Sequence, residues 1–176
     1  MTSSTDYRLF SMLNLENIVI EGRTLEPDPL ITGLTENSHK VMNGNLFFGL
    51  PGINSHGAKF FPEAIRRGAK LIITDYDGAN IIKESGYSGP FCKTLNPRQL
   101  LAFHSSRFYS DQPVTQVAVT GTNGKTSVCN FLRQIWENSN FKSVNIGTMG
   151  VDGSFCKSLR HTSPDPVTLH KLLKQL

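Results

Sequence analysis

The stretch Thr120-Gly121-Thr122-Asn123-Gly124-Lys125-Thr126-Ser127 decides how the second half of this chain folds. It follows the apolar run Val117-Ala118-Val119, which predicts a strand. A strand that turns through glycines into a helix is the architecture of a phosphate-binding loop, because free backbone amides and the helix dipole both face the anion. The helix is predicted by apolar residues at helical spacing: Val128, Phe131, Leu132, Ile135 and Trp136.

The residue types of this loop suit a nucleoside triphosphate. Its two glycines can adopt backbone angles closed to other residues, which lets successive amides point at one anion. Lys125 places a cation beside the terminal phosphates, and Thr126 offers a hydroxyl to Mg²⁺. We therefore predict that a nucleoside triphosphate and Mg²⁺ bind here, with Lys125 and Thr126 as candidate catalytic residues and Thr126 as the metal ligand. The predicted cofactor-binding set is Gly121, Thr122, Asn123, Gly124, Lys125, Thr126 and Ser127.

The strict pattern G-x-x-x-x-G-K-[ST] is not met, because its first position is Val119. A glycine-rich turn with a solvated lysine is therefore the structural alternative to a phosphate site. A lysine in the first turn of a helix opposes the helix dipole, which favours a functional reason for Lys125.

Composition limits the class of protein. The chain has 176 residues, 38% of them hydrophobic and 18% charged, which is typical of a globular protein with a core. The net charge is +4, but the basic residues are scattered apart from Arg66-Arg67, so we expect no nucleic-acid partner. No apolar run approaches the roughly 18 residues of a membrane span, so we expect no membrane insertion and a cytoplasmic location. The three cysteines show neither metal-site spacing nor a disulfide pattern, and we expect reduced thiols: Cys92, Cys129 and Cys156.

Two domains are predicted, residues 1–112 and 113–176, because Asp111-Gln112-Pro113 ends a helix and favours extended chain. In the first domain, strands at residues 46–50 and 71–74 flank a short helix at 62–67, which is an α/β crossover. A further strand is expected at residues 91–94.

The next helix begins at Pro97 with Asn96 as its cap. It carries His104, which we interpret as a packed or capping histidine rather than a ligand.

In the second domain, a strand is expected at residues 143–147, a loop through Asp152-Gly153, and a last helix with Asp165 as its cap and Pro166 in its first turn. Only two strands can be counted after Gln112, whereas a phosphate-loop domain needs several parallel strands covered by helices. We therefore expect the chain to be the front part of a longer protein or a truncation product.

Three segments together resemble the Mur ligases, the ATP-dependent amino-acid ligases of peptidoglycan assembly. The phosphate loop has the family's T-G-T-N-G-K-T form. Residues 36–41 and 44–47 resemble the segment D-S-R-x-V…G-D-L-F. Gly147-Thr148 and residues 161–170 resemble the stretch G-T…T-T-P-D-P-V-T-L-H of those members that extend UDP-N-acetylmuramoyl-L-alanyl-D-glutamate.

The resemblance implies an α/β fold, with a small uridine-diphosphate-binding domain followed by the start of a parallel-sheet ATPase domain. It implies ligation of UDP-N-acetylmuramoyl-L-alanyl-D-glutamate to an amino acid, diaminopimelate or lysine, through an acyl phosphate, and we expect a monomer. By the same resemblance, Ser38, Ile53, Asn54 and Ser55 contact the uridine-diphosphate end, and Thr162 and Ser163 contact the muropeptide. The chain departs from the family at two triplets, Asn37-Ser38-His39 and His56-Gly57-Ala58.

Two other functions remain open from the sequence. One is another phosphate-loop enzyme, such as a folylpolyglutamate synthase or a small-molecule kinase. The other is a non-catalytic remnant that binds nucleotides or uridine-diphosphate sugars, since we expect little activity from these residues alone.

Overall fold

A computed structural model describes residues 8, 20–22, 28–159 and 164–176. The chain divides into two compact units, residues 1–108 and 109–176. The functional boundary predicted between residues 112 and 113 stays a prediction.

The first unit is built on a five-stranded sheet. Its strands are β1 (Ile20–Glu21), β2 (Gly33–Thr35), β3 (Asn45–Gly49), β4 (Leu71–Thr74) and β5 (Phe91–Lys93). Strands β2 to β5 are parallel, and β1 pairs antiparallel with β5 at one edge, giving the order β1-β5-β4-β3-β2. Strands β3 and β4 are buried along their whole length, as the continuous apolar runs predict for parallel strands covered on both faces. The mixed α/β class is therefore confirmed.

In the described part of the first unit, three α-helices flank this sheet: α1 (Phe61–Arg66), α2 (Tyr76–Glu84) and α3 (Pro97–Phe108). Helices α1 and α3 were predicted, and Asn96 caps α3 by accepting a hydrogen bond from Gln99 N at 3.3 Å. Helix α2 was missed. It begins at the cap Asp75, and the core between sheet and helices is formed by apolar residues including Phe47, Phe61, Ile72, Ile82 and Phe91.

His104 on α3 is packed, as predicted, with 1% of its surface exposed. Burial, and secondarily the nearby charge of Arg107, lowers the pKa of this imidazole to about 4. Cys92 on β5 is also buried, and burial raises the pKa of its thiol to about 12, so this cysteine is a packing residue.

The second unit contains helix α4 (Lys125–Asn138), the antiparallel hairpin of β6 (Val144–Gly147) and β7 (Gly150–Gly153), and helix α5 (Pro166–Leu173). The helix starts and β6 are confirmed, and Asp165 caps α5 by accepting from Thr168 N at 2.9 Å. The loop expected at Asp152-Gly153 is wrong, because these residues pair with β6.

The strand expected at residues 117–119 does not form. Within the described part of this unit the only sheet is the β6–β7 hairpin, so the segment has no ladder partner there. In the same range, the apolar face of α4 is open: Val128, Phe131 and Ile135 are 45%, 62% and 59% exposed.

None of the helices in the described residues has the length and apolar character needed to cross a membrane.

Candidate functional site

The phosphate loop has the backbone geometry that its glycines predict. Gly124 lies at φ 79° and ψ −8°, in the left-handed region, and occupies the cap position of α4. Gly121 also has a positive φ, 149°. A Cβ on Gly124 would meet no atom of the described residues within 4 Å, so glycine is required here by the backbone angle and not by crowding. The loop thus reverses directly into the first turn of α4, where backbone amides have no helical partner.

Lys125, the first residue of α4, folds back over this loop. Its ammonium donates to the carbonyl of Gly121 and, at 3.4 Å, to the carbonyl of Thr122. The loop residues 120–127 are all exposed. A phosphate group can therefore reach both the amides and this cation, and it would replace neutral carbonyls with charged oxygens as partners of the lysine.

An open cleft of about 810 Å³ adjoins the start of α4. Lys125 and Thr126 line it from the helix, and the β6–β7 hairpin forms the opposite wall. Asn145 on β6 donates to Asn130 on α4 at 2.9 Å, which ties the two walls together. The strand β6 could be predicted from the sequence, but its pairing with β7, which builds this wall, could not. The polar residues on this side of the cleft include Asn145, Thr148, Asp152, Lys157 and Ser158.

The donor set of this cleft fits Mg²⁺ only in company with a nucleotide. Among the described residues, no group of three or more histidine, cysteine, aspartate or glutamate side chains could hold a metal ion. Mg²⁺ is commonly held by one or two protein oxygens together with substrate phosphates and water. The hydroxyl of Thr126 is suited to that role.

The residues expected at the uridine-diphosphate end lie in the first unit, at the edge of its sheet that is formed by the carboxyl ends of the parallel strands. Ser38 follows β2 and Ile53, Asn54 and Ser55 follow β3, and these two strands are parallel neighbours. Their carboxyl ends therefore bring the two segments to the same edge, where open parallel sheets bind ligands. Ser38 is buried, whereas the other three residues are exposed. Thr162 and Ser163 lie outside the described residues.

The segment of residues 51–57, here named the edge loop, is anchored at both ends. Gly57 N donates to Leu50 O at 2.8 Å and closes the base of the loop. Arg98 of α3 donates to Pro51 O at 3.2 Å. Near the other end, Nε2 of His56 lies 2.9 Å from Oδ1 of Asp75, the cap of α2. In the sequence, His56 stands out only as a departure from a family triplet. Its contact with Asp75 could not be predicted, because residues 19 positions apart share no local pattern.

Comparison with known proteins agrees with this arrangement of two regions. Residues 30–109 match the model of the Mur ligase family, catalytic domain, and residues 119–176 match the Mur ligase middle domain. The chain is 46% identical over 149 residues to a UDP-N-acetylmuramoyl-L-alanyl-D-glutamate–2,6-diaminopimelate ligase of Brucella melitensis, and 39% identical over 158 residues to the ligase of that name in Mesorhizobium japonicum. These matches cover 83% and 89% of this chain but 29% and 32% of the relatives.

A solved structure of a UDP-N-acetylmuramoyl-L-alanyl-D-glutamate–2,6-diaminopimelate ligase superimposes with a TM-score of 0.73 at 21% identity. That match covers 97% of this chain and 33% of the solved one, and it shows a shared fold. The chain therefore spans about a third or less of the length of the proteins it matches. Together, the two domain matches and the identities to curated ligases show that this chain belongs to the Mur ligase family.

Proposed function

We propose that this chain supplies the two substrate-handling regions of an ATP-dependent ligase that joins UDP-N-acetylmuramoyl-L-alanyl-D-glutamate to an amino acid. Residues 1–112 would bind the uridine-diphosphate end, and residues 113–176 would begin the ATP-binding domain. The observation that carries the proposal is the loop that turns through Gly124 into α4 with the ammonium of Lys125 over it. The relatives are named as 2,6-diaminopimelate ligases, which favours that compound as the added amino acid.

A carboxylate reacts poorly with amines, because its carbon is a weak electrophile and its oxygen a poor leaving group. Bound ATP supplies the phosphoryl group that makes the carboxylate an acyl phosphate, from which an amine forms the amide and phosphate leaves. The protein contributes position and charge neutralisation. Lys125 would neutralise the transferring phosphate, Thr126 would hold Mg²⁺, and the amides of residues 121–125 would hold the phosphate chain.

The substrate residues are part of the same proposal. Ser38, Ile53, Asn54 and Ser55 would contact the uridine-diphosphate end, which their common edge of the first sheet supports. Thr162 and Ser163 would contact the muropeptide. We further propose that the chain acts as a monomer in the cytoplasm.

Nucleotide titration tests the proposal on the chain as it stands. Calorimetry should detect binding of ATP with Mg²⁺ to the wild-type chain and a loss of about 100-fold or more in Lys125→Ala, since a charge-assisted contact to phosphate is removed. Lys142→Ala is the matched control, because Lys142 is also exposed in this unit but does not line the cleft. Equal ATP affinity in all three proteins would refute the role of Lys125.

Binding without turnover is a second candidate for the 176-residue chain, favoured by the open apolar face of α4. Val128, Phe131 and Ile135 would be covered in a complete parallel-sheet domain, and they are half-exposed here. Phosphate release distinguishes the candidates. ATP binding with no release of phosphate in the presence of UDP-N-acetylmuramoyl-L-alanyl-D-glutamate and diaminopimelate would favour binding alone.

A further inference from the structure

The imidazole of His56 uses both of its nitrogens within the first unit. Nδ1 accepts a hydrogen bond from Ala58 N at 3.0 Å, and Nε2 lies 2.9 Å from a carboxylate oxygen of Asp75. Since Nδ1 accepts, the neutral ring carries its proton on Nε2 and donates it to the carboxylate. The two side chains are only 14% and 20% exposed, so water competes weakly for this bond.

The position of the ring is fixed from a third side. The same oxygen of Asp75 accepts from Gly78 N at 2.8 Å, which ties the pair to the first turn of α2. Gly78 lies directly beside the ring, because a Cβ at that position would come within 2.6 Å of His56 Cε1. The contacts with Ala58 N, Asp75 and Gly78 therefore restrict the position of the imidazole ring.

The opposite end of the edge loop is held separately. Arg98, in the first turn of α3, donates to Pro51 O at 3.2 Å. Between the two anchors Ile53, Asn54 and Ser55 project into solvent, and Ile53 has its whole surface exposed. Three exposed residues held between two anchors on different helices are presented in a restricted conformation, which lowers the entropy lost when a ligand orders them.

We propose that His56 is a positioning residue, which acts through Asp75 to hold the edge loop so that residues 53–55 can contact a nucleoside diphosphate. The proposal rests on the proposed function of this edge of the sheet. If the anchor is lost, only a fraction of the loops is competent to bind, and the apparent affinity falls by that fraction.

Two substitutions at one position separate the two bonds of the ring. In His56→Asn the amide oxygen can still accept from Ala58 N, but the side chain is too short to reach Asp75. In His56→Gln the longer amide can donate to Asp75. We expect His56→Asn to bind UDP about tenfold more weakly than wild type, and His56→Gln to recover most of that loss.

Asp75→Asn and Asp165→Asn form the matched control pair. Both residues cap helices, and asparagine caps nearly as well as aspartate, so both variants keep the cap. Only Asp75→Asn removes the charged acceptor of His56, and it alone should weaken UDP binding. Hydrogen exchange should show faster amides at residues 52–56 in His56→Asn, with the amides of β3 and β4 unchanged.

Each outcome decides the proposal. Wild-type affinity for UDP in His56→Asn overturns the proposal. So does hydrogen exchange in His56→Asn that is accelerated in β3 and β4 as much as at residues 52–56, since His56 would then only stabilise the fold. If the wild-type chain does not bind UDP, the uridine-diphosphate assignment falls and this role falls with it. Weaker UDP binding confined to His56→Asn and Asp75→Asn, with recovery in His56→Gln, supports it.

Discussion

The histidine buried on α3 makes the first unit sensitive to acid by an amount that can be worked out. His104 has a folded pKa of about 4 against an ordinary 6.5, and neither ring nitrogen has a hydrogen-bond partner among the residues that the structure describes. Strands β2 and β3, on which α3 packs, carry no ionisable side chain. Burial lowers the pKa of the ring, and the nearby positive charge of Arg107 lowers it further. The fold therefore holds this ring in its neutral form.

The sign follows from the lowered pKa. Stability from the neutral ring is fully present above pH 6.5 and is lost as the pH falls toward 4, because the unfolded chain then binds a proton that the folded chain does not. The difference between 6.5 and about 4 corresponds to about 3 kcal/mol in the free energy of unfolding, of which about 2 kcal/mol is lost by pH 5.

Urea unfolding read by circular dichroism, at several pH values between 8 and 4.5, measures this loss. His104→Leu removes the titrating group and should flatten the pH dependence by about 2 kcal/mol between pH 8 and pH 5. The carboxylates of the chain titrate equally in both proteins, so their contributions to the pH dependence cancel in the comparison. Identical pH dependence in wild type and His104→Leu would show that burial of His104 is not the cause of the acid sensitivity.

Three further perturbations have defined outcomes. Gly124→Ala should cost about 1 kcal/mol in unfolding and weaken ATP binding, because φ 79° strains a side chain although nothing lies within 4 Å; unchanged ATP affinity would contradict this. Phe47→Ala should cost about 3–5 kcal/mol, since Phe47 has 0% exposure at the centre of the core, and a urea midpoint shifted by less than the Ile82→Val control would contradict it. Asp165→Ala should cost about 1 kcal/mol by removing the cap of α5, as measured by helix content on heating, with Asp165→Asn as the conservative control.

Much of the fold could be predicted from local sequence patterns. The apolar runs of β3 and β4 and the caps Asn96 and Asp165 could be predicted because each depends on a few neighbouring residues. The turn into α4 at Gly124 is local in the same sense. These are interactions that short sequence windows contain in full.

What the sequence did not reveal depends on distant partners. Helix α2 was missed because Gly78, a poor helix former, lies in its first turn, whereas the fold uses that glycine as space for the ring of His56. The strand expected at residues 117–119 needs a neighbouring strand that the described residues do not provide. The wall of the cleft that the β6–β7 hairpin forms depends on the pairing of β6 with β7.

The thiols of this chain are distributed unequally between the units. Cys92 is sealed inside the first unit, whereas Cys156 is exposed and Cys129 is half-buried in the second. A maleimide dye added to the native protein would therefore mark the second unit alone. Attachment of a third dye would then count openings of the first unit, which gives each half its own fluorescent reporter without any engineered cysteine.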